Sequence, residues 1–213
     1  SFTAIDIDFG RGVSLIIGAN MGGKTVVLKM LALCQQMCQF GFPVPAASAR
    51  IALKNNLFFS IGDDQDIERG LSLFAAEMLS INGILEHLEN EKEQIDRETG
   101  RGLEILASGN GTLALVDEPA RTTNPIEGKA LVEALVKMLG EYNVDAVITT
   151  HYNIDCQAEA RWRVSGLRDG KMDYRLVTTS TNDIPHEAVM VARSLNINER
   201  WIGLAQEILN GKQ

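Results

Sequence analysis

Apolar residues along the 213-residue chain fall into two rhythms, short continuous runs and longer stretches spaced three and four apart. The run Val13-Ser14-Leu15-Ile16-Ile17 ends at Gly18 and gives way to a helical pattern from about Lys24 to Phe40, which predicts strand, loop and helix. The two prolines of Gly41-Phe42-Pro43-Val44-Pro45 are expected to stop that helix. Short strand-like runs follow at Arg50 to Leu53 and at Leu57 to Ile61. From Ser72 to about Glu93 the residues Leu73, Phe74, Met78, Ile81, Ile84, Leu85 and Leu88 recur at helical spacing. The charged continuation, Glu86 to Arg101, reads as a solvated helix face and turn. Leu113 to Val116 is a strand leading into Asp117-Glu118, Ile126 to Leu139 is an amphipathic helix, and Ala146 to Thr150 is a buried strand ending at His151. Trp162 to Leu167 and Tyr174 to Val177 flank Asp169-Gly170 as a hairpin. Terminal helices are expected at Ala188 to Leu195, opened by a turn at Pro185, and at Asn198 to Leu209. Alternating strands and helices predict an α/β fold with a mostly parallel sheet flanked by helices, plus the C-terminal hairpin and helices. No repeat or low-complexity linker interrupts the chain, so residues 1–213 are expected to form a single domain.

Composition narrows the class without changing the fold. Apolar residues make up 45% and charged residues 23%, enough for a packed core and unlike disordered or fibrous chains. No apolar run approaches the roughly 20 residues of a membrane span. The first residues show no secretory leader pattern, and the cysteines, Cys34, Cys38 and Cys156, are odd in number; a reducing, cytoplasmic setting is expected. Cys34 and Cys38 share a helix face, yet no nearby pair completes a zinc set, so they read as buried apolar thiols. A net charge of −8 argues against a broad phosphate-binding surface, so any DNA contact is expected through domains outside this chain.

The chemistry lies where the strands end. Residues 18 to 25 read Gly18-Ala19-Asn20-Met21-Gly22-Gly23-Lys24-Thr25, the spacing of a phosphate-binding loop, between a strand and a helix. Glycines let backbone N–H groups curl around phosphates, and the helix start adds partial positive charge. Lys24 is expected to reach the β- and γ-phosphates of ATP, with the Thr25 hydroxyl on Mg²⁺. Asp117 would hold that metal, and Glu118 would orient or deprotonate the attacking water. His151 arrives at the same sheet edge, placed to sense the γ-phosphate or position water.

Together the loop, Asp117-Glu118 and Thr149-Thr150-His151-Tyr152 resemble the ATPase domain of the MutS family, an ABC-class branch of the P-loop NTPases. Gly41-Phe42-Pro43-Val44-Pro45-Ala46 and Leu71-Ser72-Leu73-Phe74-Ala75-Ala76-Glu77-Met78 resemble further family segments, and Glu187 to Leu195 is similar to its closing helices. The resemblance implies ATP sandwiched in a head-to-tail dimer, either a homodimer or a pair with a related ATPase. Ser72 would then serve the γ-phosphate held by the partner, and Phe2 would lie against adenine. The work implied is remodelling of DNA in mismatch or recombination repair.

One stretch departs from the pattern. Mismatch-repair members read Asp-Glu-[Ile/Leu]-Gly-Arg-Gly-Thr-Ser, whereas this chain reads Asp117-Glu118-Pro119-Ala120-Arg121-Thr122-Thr123-Asn124-Pro125 and loses both glycines. Thr123 to Gly128 and Gly23 to Lys29 look instead like the second bacterial MutS branch, which acts on recombination intermediates or stalled ribosomes. No segment resembles that branch's Smr nuclease domain or the mismatch-reading, lever and clamp domains. The alternative implied is a protein client, an adenosylcobalamin-dependent aminomutase that a MutS-like ATPase reactivates, or ribosome-associated remodelling.

Overall fold

The computed structural model describes residues 4–18, 23–62, 72–99, 111–142, 144–168, 171–179 and 198–210. Within them lie strands β1 (Val13–Ile17), β2 (Asn56–Ser60), β3 (Thr112–Val116), β4 (Asp145–Thr150), β5 (Ala160–Arg168) and β6 (Lys171–Thr178). The helices are α1 (Lys24–Gln39), α2 (Leu73–Thr99), α3 (Pro125–Glu141) and α4 (Glu199–Asn210). The strands form one sheet in the order β2-β3-β4-β1-β5-β6. Every neighbouring pair is parallel except β5 and β6, which run antiparallel. This is the expected α/β class.

Both faces of the sheet are covered, which is why β1, β3 and β4 read as continuous apolar runs rather than alternating ones. Val13, Leu15 and Ile17 of β1, with Ala114, Val116, Ala146 and Ile148, pack beneath Ile81, Ile84 and Leu88 of α2 and Val132, Val136 and Leu139 of α3. The intervening Ile16, Leu115 and Val147 face the other way, against Val27 and Leu28 of α1 and Val164 and Leu176 of the hairpin. Each central strand therefore contributes alternate residues to two cores.

Some boundaries differ from the expected ones. The prolines do not stop α1. It ends in a Schellman motif, with Gly41 at φ 75° donating to the Cys38 carbonyl and Phe42 donating to that of Met37. Arg50 to Leu53 is not a strand. It is held by side chains instead: on α1, Gln35 Nε2 donates to the Ala52 carbonyl and Gln39 Oε1 accepts from the Lys54 N–H, and Lys54 pairs with Asp145 at the start of β4. Helix α2 runs on to Thr99, past the expected end near Glu93, so that most of the charged segment is the expected helix face and little of it is turn. The hairpin forms as β5 and β6, with its tip at Asp169-Gly170 outside the described residues, as is the helix expected at Ala188 to Leu195 with Pro185. Cys34, Cys38 and Cys156 are free and only partly buried. Among the described residues no helix is long and apolar enough to cross a membrane.

Ile148, fully buried at the centre of β4, tests the two-layer core. Ile148→Ala is expected to cost about 2–5 kcal/mol in urea unfolding, the range for a large core aliphatic that leaves a cavity. A loss below about 1 kcal/mol would show that this strand is not central to the core.

Candidate functional site

Register alone brings the candidate residues together. Strands β3, β4 and β1 lie side by side, with Val116 opposite Ile148 and Ile17 opposite Thr150. The residues that follow, Asp117 and Glu118, His151, and Gly18, therefore leave the sheet at one edge. This is where ligands of open α/β sheets bind. Gly18 N–H donates to the Thr150 carbonyl at 3.2 Å and Asp117 N–H to the Ser60 carbonyl at 2.8 Å, extending the ladder one step beyond the strands.

Helix α1 starts at this edge with no side-chain cap. Gly23 holds the cap position in a left-handed conformation, φ 74° and ψ 15°, that favours glycine, and a Cβ there would lie 3.0 Å from the Tyr174 ring. The next two residues reach opposite partners. Lys24 Nζ lies 2.7 Å from Glu118 Oε1 and donates to the Gly18 carbonyl at 2.8 Å, deeply buried. Thr25 Oγ1 donates to Asp117 Oδ2 at 2.7 Å. Thr149, the penultimate residue of β4, donates its hydroxyl to Asp117 Oδ1 at 2.6 Å. Both the hydroxyl and the carbonyl oxygen of Thr149 accept from the Glu118 N–H, at 2.9 and 3.2 Å. Asp117 thus has a hydroxyl on each oxygen, and Glu118 is fixed at backbone and side chain.

His151 shares the field of Glu118, Lys24 and Arg121. Burial pushes its pKa below the usual histidine value, Glu118 pulls it up, and Lys24 and Arg121 push it further down. The ring lies 4.2 Å from that of Tyr152, tilted by 39°, and Nδ1 is buried with no hydrogen-bond partner among the described residues. An imidazole that burial biases toward its neutral form, with an unpartnered nitrogen in the field of Glu118, is a place where a ligand or water can bond.

The loop after Glu118 is strained. Glu118 and Ala120 adopt left-handed φ values of 47° and 60°, which cost non-glycine residues about 1–2 kcal/mol each. Contacts from α2 and the β4 exit oppose that cost: Glu77 Oε2 accepts from the Ala120 N–H at 3.1 Å, and the Tyr152 hydroxyl donates to the Ala120 carbonyl at 2.8 Å. Ser60, Gly62, Leu73, Glu77, Asp117 and Arg121 line a shallow cleft between this loop and the head of α2. Ser72 is exposed at that head, and its hydroxyl accepts from the helix's own Ala75 N–H at 3.2 Å. Phe2 and the inner loop residues Ala19, Asn20, Met21 and Gly22 lie outside the described residues.

The description MutS domain V fits residues 14–107. Similarity runs further, to three proteins named endonuclease MutS2. The one from Fusobacterium nucleatum is 32% identical over 98% of this chain and 25% of its own length. The one from Streptococcus sanguinis is 36% identical over 96% and 25%, and the one from Alkaliphilus metalliredigens 39% over 65% and 15%. The chain belongs to the MutS family. It spans about a quarter of the length of the first two relatives, and its P-loop α/β fold is that of the family's ATPase domain.

The residues that motif reading left without roles are those that join motifs. Thr149 and Tyr152 sit within the Thr-Thr-His-Tyr segment and Glu77 within the Glu-Met pair, but what they touch depends on a fold that spacing does not give. Gly128, in the first turn of α3, has a similar hidden role: a Cβ there would lie 2.3 Å from the Tyr152 hydroxyl and 3.0 Å from the Ala120 carbonyl oxygen. Gly128→Ala is therefore expected to displace Tyr152 and destabilise the fold by about 1–3 kcal/mol, the range for overpacking, although alanine favours helix. A thermal melt showing equal or greater stability would mean that Tyr152 is not pinned between Gly128 and Ala120.

Proposed function

We propose that residues 1–213 act as a single ATP-binding and ATP-hydrolysing domain that works head to tail with a second copy or a related ATPase, coupled to remodelling of DNA repair intermediates. The observation that carries this reading is the meeting of Lys24 with Glu118 and of Thr25 with Asp117 at the edge where Gly18 ends β1. Few other tasks call for a buried lysine, a hydroxyl and two carboxylates at the head of one helix.

The donor set suits the expected ligands. Thr25 Oγ1 and Asp117 Oδ2 are hard oxygens, and Mg²⁺ is bound by such groups together with phosphate oxygens and water. When bound, Mg²⁺ would neutralise charge on the β- and γ-phosphates. Lys24 would exchange Glu118 for phosphate oxygens and remain paired. Glu118, released from the ammonium, would orient or deprotonate the attacking water, with His151 bonding that water or the γ-phosphate through its orphaned nitrogen. Ser72, at an exposed helix start, would complete the partner's site, and Phe2 and residues 19–22 would contribute adenine and phosphate contacts.

The DNA load rests on the relatives, whose name, endonuclease, describes an action on nucleic acid. With a net charge of −8, this chain would meet DNA through attached domains rather than its own surface. Its free cysteines suit a cytoplasmic setting.

Lys24→Ala is expected to abolish ATP-Mg²⁺ binding in calorimetry, and wild-type affinity would sink the phosphate-loop assignment. Glu118→Gln should keep binding, slow hydrolysis on the order of a hundredfold, and accumulate an ATP-bound dimer in light scattering. Unchanged turnover would remove Glu118 from its role. Stimulation of turnover by branched or mismatched DNA supports the proposed load, whereas stimulation only by stalled ribosomes or by an inactivated cobalamin enzyme assigns it to those clients.

A further inference from the structure

The bend that carries Glu118 is held from outside. Glu118 and Ala120, at φ 47° and 60°, bracket Pro119, and no glycine relieves the turn. Non-glycine residues stay in such conformations only where the surroundings over-determine them. One end is anchored by Thr149, whose hydroxyl and carbonyl oxygens take the Glu118 N–H. The other end is Ala120, fully buried, so water offers its N–H and carbonyl no substitute partner. Its N–H goes to Glu77 Oε2 and its carbonyl receives the Tyr152 hydroxyl. An unpartnered left-handed Ala120 would relax toward the right-handed basin, and the peptide plane linking Pro119 to Ala120 would turn with it. Pro119, fixed in φ by its ring, would pass that rotation to Glu118.

We propose that Glu77 is a positioning residue for hydrolysis: with the Tyr152 hydroxyl it grips both backbone groups of Ala120 and so fixes the bend that aims the Glu118 carboxylate. The proposal rests on Glu118 being the carboxylate that activates water. Glu77 contacts the loop's backbone rather than the reacting atoms. What Ala120 needs from it is an acceptor oxygen, not a charge. Burial raises the Glu77 pKa, the Ala120 N–H lowers it, and Asp117 and Glu118 raise it further; either protonation state keeps an oxygen able to accept from that N–H, the carboxylate more strongly. Glutamine presents the same oxygen at the same reach, so a positional role predicts rescue.

Glu77 also stands one and a half turns into α2, five residues after Ser72. The grip on Ala120 therefore ties the Glu118 loop to the helix whose head faces the neighbouring half-site in the proposed dimer.

The test uses Glu77→Ala, Glu77→Gln and Tyr152→Phe in this chain, with three readouts. Glu77→Ala is expected to lower kcat about tenfold, the loss for a hydrogen bond to a buried group, while ATP-Mg²⁺ affinity in calorimetry stays within about twofold. Glu77→Gln should recover most of kcat, and Tyr152→Phe should fall between. Hydrogen exchange, which needs no turnover, should show the Ala120 amide exchanging at least about tenfold faster in Glu77→Ala and near the wild-type rate in Glu77→Gln. Wild-type kcat in Glu77→Ala, equal losses of kcat and affinity, or a Glu77→Gln variant as impaired as Glu77→Ala would each overturn the proposal. A wild-type chain that binds ATP without hydrolysing it overturns instead the role of Glu118, and the exchange rates then still decide whether Glu77 holds the loop.

Discussion

The Lys24–Glu118 ion pair, 2.7 Å long with side chains 2% and 8% exposed, locks the head of α1 to the end of β3 and sets the terms for everything nearby. Removing an ammonium and a carboxylate from water costs several kcal/mol per ion, which close contact repays only if further hydrogen bonds satisfy the remaining atoms. Lys24 takes a second partner in the Gly18 carbonyl, and the Glu118 backbone takes Thr149. Those bonds reach β1 and β4, so the exits of three adjacent strands and the start of one helix are held in a single arrangement. Asp117 repeats the logic one residue earlier, with Thr25 on one oxygen and Thr149 on the other. Thr149 is the common member of both sets.

On the proposed reading this arrangement is also a charge held ready for exchange. A buried lysine left without an anion is costly, so Lys24 can release Glu118 only when another anion takes its place. The phosphates of ATP meet that condition, and the carboxylate needed for hydrolysis is freed by the same event that fills the site. His151 fits the sequence of events: burial favours its neutral form, and its Nδ1 has no partner among the described residues to lose when a ligand arrives. The coupling of binding to catalysis then needs no large motion of the sheet.

Much of this was legible in the chain because the relevant signals are local. Apolar runs ending in Gly18, Asp117 and His151 mark strands that deliver chemistry at their exits, and the glycine and lysine spacing marks a phosphate loop. Periodicity reports which residues are buried, not which strand lies beside which. That β4 inserts between β3 and β1 is a long-range fact, and it is what places Thr149 between Asp117 and Glu118. Arg50 to Leu53 misled for the complementary reason. Its apolar pattern is real, but glutamine side chains of α1 and the Lys54–Asp145 pair satisfy its neighbourhood without a ladder. The end of α1 is set by the nearer Gly41 rather than by the prolines that follow it.

The missing glycines after Glu118 show how the local and long-range levels meet. Mismatch-repair members of the resembling family place glycine where this chain has Ala120, and Ala120 sits at φ 60°, a conformation glycine adopts freely and alanine does not. Ala120 therefore holds a backbone shape that its own side chain does not favour. Such a shape must be imposed by neighbours, and the Glu77 carboxylate, the Tyr152 hydroxyl and the bare face of Gly128 supply the imposition. At Gly128 the lack of a Cβ lets Tyr152 approach closely enough to hold Ala120. A loop shaped by neighbours is more informative mechanically than one shaped by its own residues, because anything that moves α2 or the β4 exit also moves Glu118.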